Sequence, residues 1–208
     1  MTVRVAASLW SVPTSELEPC ARRLADQGVR RFHWDRADGL AAPEGGFQAE
    51  EARRLSELTN ASAEAHLMVR DPRSELAEWA EFCDTIAVQA DQPYCADSLV
   101  RIAELGVRAA VAVRTSDQLD QVPSALDVLV MAVDPGHAGS TFDERSHELV
   151  AAAQDAGHAM IGVDGSITPA RLRRLHQTGA RWFVSGTSLT QAESVTNWYH
   201  ASGLEFDS

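Results

Sequence analysis

The feature that most constrains this chain is a regular alternation of short apolar strands with amphipathic helices. Segments with strand-like patterning predict strands over Val3–Leu9, Arg30–Asp35, Ala63–Met68, Thr85–Val88, Val107–Val113, Val128–Val133, Ala159–Val163 and Trp182–Val184. Helical patterning predicts helices over Ser15–Gln27, Ala49–Thr59, Pro72–Phe82, Ala96–Leu105, Ser116–Gln121, Glu144–Ala156, Pro169–Gln177 and Ser188–Tyr199. Gly28, Gly106, Gly157 and Gly179 each follow a helix by a residue or so, the left-handed cap position. Strands alternating with helices of this length imply a parallel sheet. Eight such units in 208 residues predict an α/β fold, a single (βα)8 TIM barrel over 1–208 that ends in a short acidic tail, LEFDS. A doubly wound sheet is the alternative, but it calls for a G-x-G-x-x-G after the first strand, and that strand here ends SLWSVPTS.

Composition narrows the function classes. With 45% hydrophobic residues the chain can bury one sizeable core. Mean hydropathy is -0.19, and no apolar run approaches the ~20 residues of a membrane span. The opening MTVRVAASLW lacks the apolar stretch of a secretory signal. A net charge of -12 argues against a nucleic-acid partner, which would want a basic stripe. Cys20, Cys83 and Cys95 form no C-x-x-C pair and read as small buried hydrophobes, so a reducing, cytoplasmic setting is expected.

The polar residues at strand ends carry the chemistry, because barrels of this type act where the strands end. In RRFHWDRADG the second strand carries His33 and Asp35; the third carries His66 in EAHLM, and the seventh ends at Asp164 in IGVDGS. Side chains two apart on a strand share a face, so His33 joins Asp35, and Glu64 joins His66 and Met68. If those faces point inward, two imidazoles and two carboxylates converge at one mouth. Such a donor set suits one divalent metal ion, with Zn, Fe, Mn and Co all candidates. A lone strand histidine is more often satisfied by a neighbour, but burying four such groups without a metal or partners is costly.

These residues also carry a family resemblance. AASLWS resembles the S-x-L-S of the ribulose-phosphate 3-epimerase family, FHWDRADG its H-x-D-x-M-D-G, and AHLMV its H-L-M. VLVMAVDPGHAGSTF resembles its M-x-V-x-P-G-x-G-G-Q-x-F, VDGSIT its V-D-G-G, and VSGTSL its A-G-S-x-[IL]. The resemblance implies that His33, Asp35, His66 and Asp164 are metal ligands, and that Asp35 and Asp164 are also the acid–base pair inverting C3 of a ketose phosphate through a cis-enediolate. It implies site-lining roles for Ser8, Met68 and Met131. Phosphate would be held by backbone N–H groups at Gly165-Ser166 and Gly186-Thr187, with a loop carrying Gly136, His137 and Gly139 closing over it. D-ribulose 5-phosphate or a related pentulose, hexulose or heptulose phosphate is the expected substrate. Trp10, Trp198 and Tyr199 suit either a subunit contact in an expected homo-oligomer or packing of helices on the barrel.

Departures from the pattern surround this set. Ala37 stands where the family has methionine, Arg36 is unexpected beside it, and Leu40–Glu44 replaces an aromatic-rich stretch. The fourth strand ends Gln89-Ala90-Asp91 and the fifth Arg114-Thr115; Ala138 and Ser166 stand in for glycines, and His137 for an aromatic. Retained chemistry on an altered substrate is therefore expected, with Glu44, Gln89, Arg114 and His137 reading the difference. Two other readings compete: a barrel that binds a sugar phosphate without catalysis, and a decarboxylase or aldehyde-lyase barrel. The last group uses a D-x-K-x-x-D strand end, whereas Asp35, Ala37 and Asp38 here include no lysine.

Overall fold

Eight parallel strands close into a barrel in a computed structural model that describes residues 3–133 and 141–204. In chain order the first half comprises β1 (Arg4–Ser8), α1 (Leu17–Asp26), β2 (Arg31–Ala37), β3 (Gly45–Gly46), α2 (Ala49–Thr59), β4 (Ser62–Met68), α3 (Leu76–Ala80), β5 (Cys83–Gln89) and α4 (Cys95–Glu104). The second half comprises β6 (Arg108–Val113), α5 (Ser116–Leu119), β7 (Asp127–Met131), α6 (Ser146–Asp155), β8 (Ile161–Asp164), α7 (Pro169–Thr178), β9 (Trp182–Ser185), α8 (Thr187–Thr190) and α9 (Val195–Ser202). The strands run β1-β9-β8-β7-β6-β5-β4-β2, and β1 pairs with β2 to close the ring, Ser8 opposite His33.

The expected barrel strands all form, and Gly28, Gly106, Gly157 and Gly179 all have positive φ, from +77° to +135°. Three local features differ from the sequence expectation. β3, a two-residue strip antiparallel to the end of β2, was not foreseen, because Gly-Gly carries no apolar pattern. The third helix is a 3-10 turn at Pro72–Ser74 followed by only five α-helical residues. The last helix is split: the Ser194 hydroxyl accepts from Asn197 N at 3.2 Å and starts α9 afresh. The Arg23 guanidinium holds the break by donating to the carbonyls of Thr190 and Ala192.

Strand alternation sorts the core into two regions. Outward residues such as Phe32, Trp34, Ile86, Val111, Val130 and Phe183 pack under the helices in one large cluster. Inside the barrel, Ala87, Ala110, Ala112, Leu129, Met131, Trp182 and Val184 form a second, separate cluster. Trp182 is the largest of these, and Gly162 on the adjacent strand makes room for it: a Cβ there would lie 2.4 Å from Trp182 Cε3 and 2.9 Å from Leu129 Cδ1. Both contacts are too short to exist without movement of packed groups.

Gly162→Ala should therefore overpack the barrel interior, costing about 1–3 kcal/mol and lowering the thermal midpoint by about 2–12 °C. A melting curve unchanged from wild type would contradict the idea that the barrel is filled at this point.

Candidate functional site

β2, β4 and β8 each deliver donors to one end of the barrel. Asp35 lies directly opposite His66 in the β2–β4 register, and Asp164 closes β8 opposite Met131. One atom from each of His33, Asp35, His66 and Asp164 falls within 4.8 Å of all the others, so the four could hold a metal ion. His33 Nε2 is 3.3 Å from Asp35 Oδ1 and 4.0 Å from Asp164 Oδ2. His66 turns Nδ1 toward the same two atoms, at 3.4 and 3.9 Å.

The donors fit a cation. His33 Nε2 and both ring nitrogens of His66 are buried and have no hydrogen-bond partner among the described residues. Buried polar atoms are nearly always paired, so three orphaned nitrogens around two carboxylates indicate a centre built for something else to bind. Two imidazoles and two carboxylates suit Zn²⁺, Fe²⁺, Mn²⁺ or Co²⁺. Ser8, buried at the end of β1, donates its hydroxyl to Asp35 Oδ2 at 3.0 Å. That leaves Asp35 Oδ1 facing the two rings.

Electrostatics separates the two aspartates. Burial pushes Asp35 up, but the facing His33 and His66 rings, His33 foremost, outweigh it and hold the carboxyl well below its usual range. Asp164 is pushed up to about 7, first by burial and then by the charge of Asp35. Burial pulls His33 down, yet Asp35 and Glu64 more than compensate and its pKa is raised. Burial keeps His66 below its usual value.

Met131 is buried in the barrel interior, and Met68 packs with Ala37, Ala42 and Trp10. Gly165 and Ser166 form a tight turn after β8 with φ of +110° and +53°, so Ser166 occupies the left-handed region a glycine would take freely. Gly186 and Thr187 open α8 at the end of β9. Arg36 points outward and meets Glu75 at 3.5 Å. Arg114 and Met131 line a cavity of about 380 Å³ together with Thr115, Gln118, Val133, Thr141, Asp143 and Arg145. Gly136, His137, Ala138 and Gly139 lie outside the described residues, as does the tail beyond Leu204. Trp198 is buried and donates to Ser188 Oγ at 2.9 Å, and Tyr199 packs on the main core, so both are accounted for by packing of α9.

Sequence reasoning left two residues without a role. Asp38, within the strand-end motif, ties down the following loop: Oδ1 accepts from the N–H of Leu40 and Ala41, and Oδ2 from that of Arg70, at 2.8–2.9 Å. Glu64 is fully buried inside the barrel, with Oε1 2.8 Å from His33 Nδ1 and 2.7 Å from Trp182 Nε1. Its place on the face of His66 was legible from alternation, but the contact with His33 depends on a β2–β4 register that the sequence does not reveal.

Known proteins place this arrangement in a family. The model for the ribulose-phosphate 3 epimerase family matches residues 4–190. The chain is 28% identical over 195 residues to the ribulose-phosphate 3-epimerase of Treponema pallidum, covering 88% of this chain and 89% of that protein. It is 26% identical over 197 residues to the cytoplasmic isoform from Oryza sativa, covering 89% and 86%. Among solved structures, KGPDC from Streptococcus mutans superposes with a TM-score of 0.71 at 13% identity, covering 98% of this chain and 96% of that one. Orotidine 5'-phosphate decarboxylase from Pyrococcus horikoshii gives 0.64 at 15%, covering 96% and 99%. The solved structures share the fold alone. The family match spans nearly the whole barrel and includes all four clustered donors, and the chain belongs to the ribulose-phosphate 3-epimerase family.

Proposed function

We propose that this chain is a metal-dependent ketose-phosphate 3-epimerase, converting D-ribulose 5-phosphate to D-xylulose 5-phosphate or acting on a related pentulose, hexulose or heptulose phosphate. The observation that carries this is the group of four donors with three unpaired ring nitrogens at the mouth of a barrel of this family. His33, Asp35, His66 and Asp164 would hold one divalent ion, whose Lewis acidity stabilises the negative charge that builds on substrate oxygen when the C3 proton leaves.

The remaining chemistry belongs to the chain. Asp35 and Asp164 reach the mouth from β2 and β8, strands separated by β9 and β1. One carboxylate takes the C3 proton and the other returns a proton to the opposite face of the planar cis-enediolate, which inverts the carbon. Ser8 fixes Asp35 through Oδ2. Met68 and Met131 offer apolar walls that exclude water without supplying protons. Backbone N–H groups of Gly165, Ser166, Gly186 and Thr187, at the ends of neighbouring strands β8 and β9, would bind the phosphate. Gln89, at the inward end of β5, and Arg114, on the cavity beside Met131, would read which sugar is bound. The decarboxylase reading suffers from chemistry: the chain contains no lysine at all, so the ammonium of a D-x-K-x-x-D centre has no equivalent.

Solvent deuterium exchange at C3 across a panel of pentulose, hexulose and heptulose phosphates, with and without added metal, tests the proposal. Exchange into at least one of them in the metal-loaded protein is expected, and exchange into none would overturn it. Asp164→Asn should cut exchange by at least about 10²-fold while leaving the circular dichroism spectrum intact.

Metal binding itself should depend on pH in a defined direction. Asp164 in the metal-free protein titrates near 7, so below that value a bound cation must displace its proton. Apparent affinity, measured by chelator competition a unit above and a unit below that pH, should be weaker on the acid side. Stronger binding on the acid side would show that Asp164 is not a ligand.

A further inference from the structure

We infer that Glu64 is a positioning residue for the metal centre: it holds His33 in the tautomer and orientation that present Nε2 to the ion. The inference rests on the metal reading above and adds a group outside the four donors. The register of β2 on β4 puts His33 and Glu64 side by side inside the barrel. Glu64 Oε1 receives the indole N–H of Trp182 at 2.7 Å, and the same oxygen lies 2.8 Å from His33 Nδ1. An indole nitrogen can only donate, so Oε1 is an acceptor, and a carboxylate acceptor requires Nδ1 to carry the proton. When the ring is neutral, as a ligand must be, its lone pair is then on Nε2, the atom that faces Asp35 and Asp164 and has no hydrogen-bond partner among the described residues.

The charge that makes Glu64 a strong acceptor is supported from below. Arg4 and Arg31 place guanidinium nitrogens 3.7 Å from Oε2, and Arg4 lies over the Trp182 ring at 4.6 Å. Arg31 in turn grips Asp84 with two hydrogen bonds of 2.7 Å. His33 is thus the end of a chain of charged groups running up from the barrel floor. His66 has no such support: neither of its ring nitrogens is hydrogen-bonded to a described residue. A carboxylate on the far nitrogen of a ligating imidazole raises its basicity and locks its orientation, and losing such a partner typically costs about 10–100-fold in metal affinity.

The test uses the purified full chain and Co²⁺ alone, followed by its visible absorption and by chelator competition. Glu64→Gln should weaken Co²⁺ binding by about 10–100-fold and alter the absorption band. Trp182→Phe disturbs the same carboxylate from its other side but spares the His33 bond, and should leave affinity and band close to wild type. Equal weakening by both variants, or none by Glu64→Gln, overturns the inference while leaving the metal site standing. A wild-type protein that binds no Co²⁺ overturns both. A second measurement does not depend on either variant folding: long-range ¹H–¹⁵N correlation of the imidazoles in the Zn²⁺-loaded wild type should show His33 protonated at Nδ1 alone. A proton on Nε2 with Nδ1 bare would refute the inference.

Discussion

Closure of β1 onto β2 is the constraint from which the rest follows. Once the sheet is a ring, every inward position must be filled from within, and strand alternation decides which residues do it. The interior divides by strand. β5, β6 and β7 contribute Ala87, Ala110, Ala112, Leu129 and Met131, while β2, β4 and β8 contribute His33, Asp35, Glu64, His66 and Asp164. Trp182 joins the halves, with its ring among the apolar residues and its N–H on Glu64. Small alanines on one side leave the volume that the indole and imidazoles take on the other.

Burying so many polar groups is expensive unless each has an assigned partner. In the floor, opposite charges face one another: Arg31 on Asp84, Arg108 on Asp127 at 3.2 Å, and both Arg4 and Arg31 toward Glu64. At the mouth, the orphaned nitrogens of His33 and His66 converge instead on two carboxylates. Carboxylates at the centre and a net charge of -12 give the chain a field that repels anions, so the proposed phosphate site relies on backbone N–H groups at β8 and β9.

Much of this was legible in the sequence because it is local. Period-two alternation puts His33 with Asp35 and Glu64 with His66, and strand ends place the four clustered donors at one mouth. The Gly caps and the helix starting at Pro169 are local signals too, and each is observed. What could not be read is what depends on register or on distant packing. The His33–Glu64–Trp182 contact joins three strands, residue 182 lying 118 positions from residue 64. The split of α8 from α9 depends on Arg23 reaching across from α1. The β3 strip forms because Gly46 fits where nothing larger can: a Cβ there would stand 2.0 Å from Asp35 O and 2.7 Å from the Trp10 ring.

That close approach also explains the most conspicuous departure from the family motifs. Where S-x-L-S has leucine, this chain has Trp10, and where H-x-D-x-M-D-G has methionine, it has Ala37. In the fold the two positions touch the same space. Ala37, Ala42 and Met68 form a small cluster against Trp10, and the indole lies over Gly45 and Gly46. A longer side chain at 37 would compete with the indole for that volume, so the small residue and the large one are two halves of one exchange. The wall beside Asp35 stays closed, but its lining passes from a flexible thioether to a rigid ring. The four-donor cluster and the wall beside it are thus separable: the first is fixed by inward positions on β2, β4 and β8, the second by strand-end and loop residues that can trade volume without moving a donor atom.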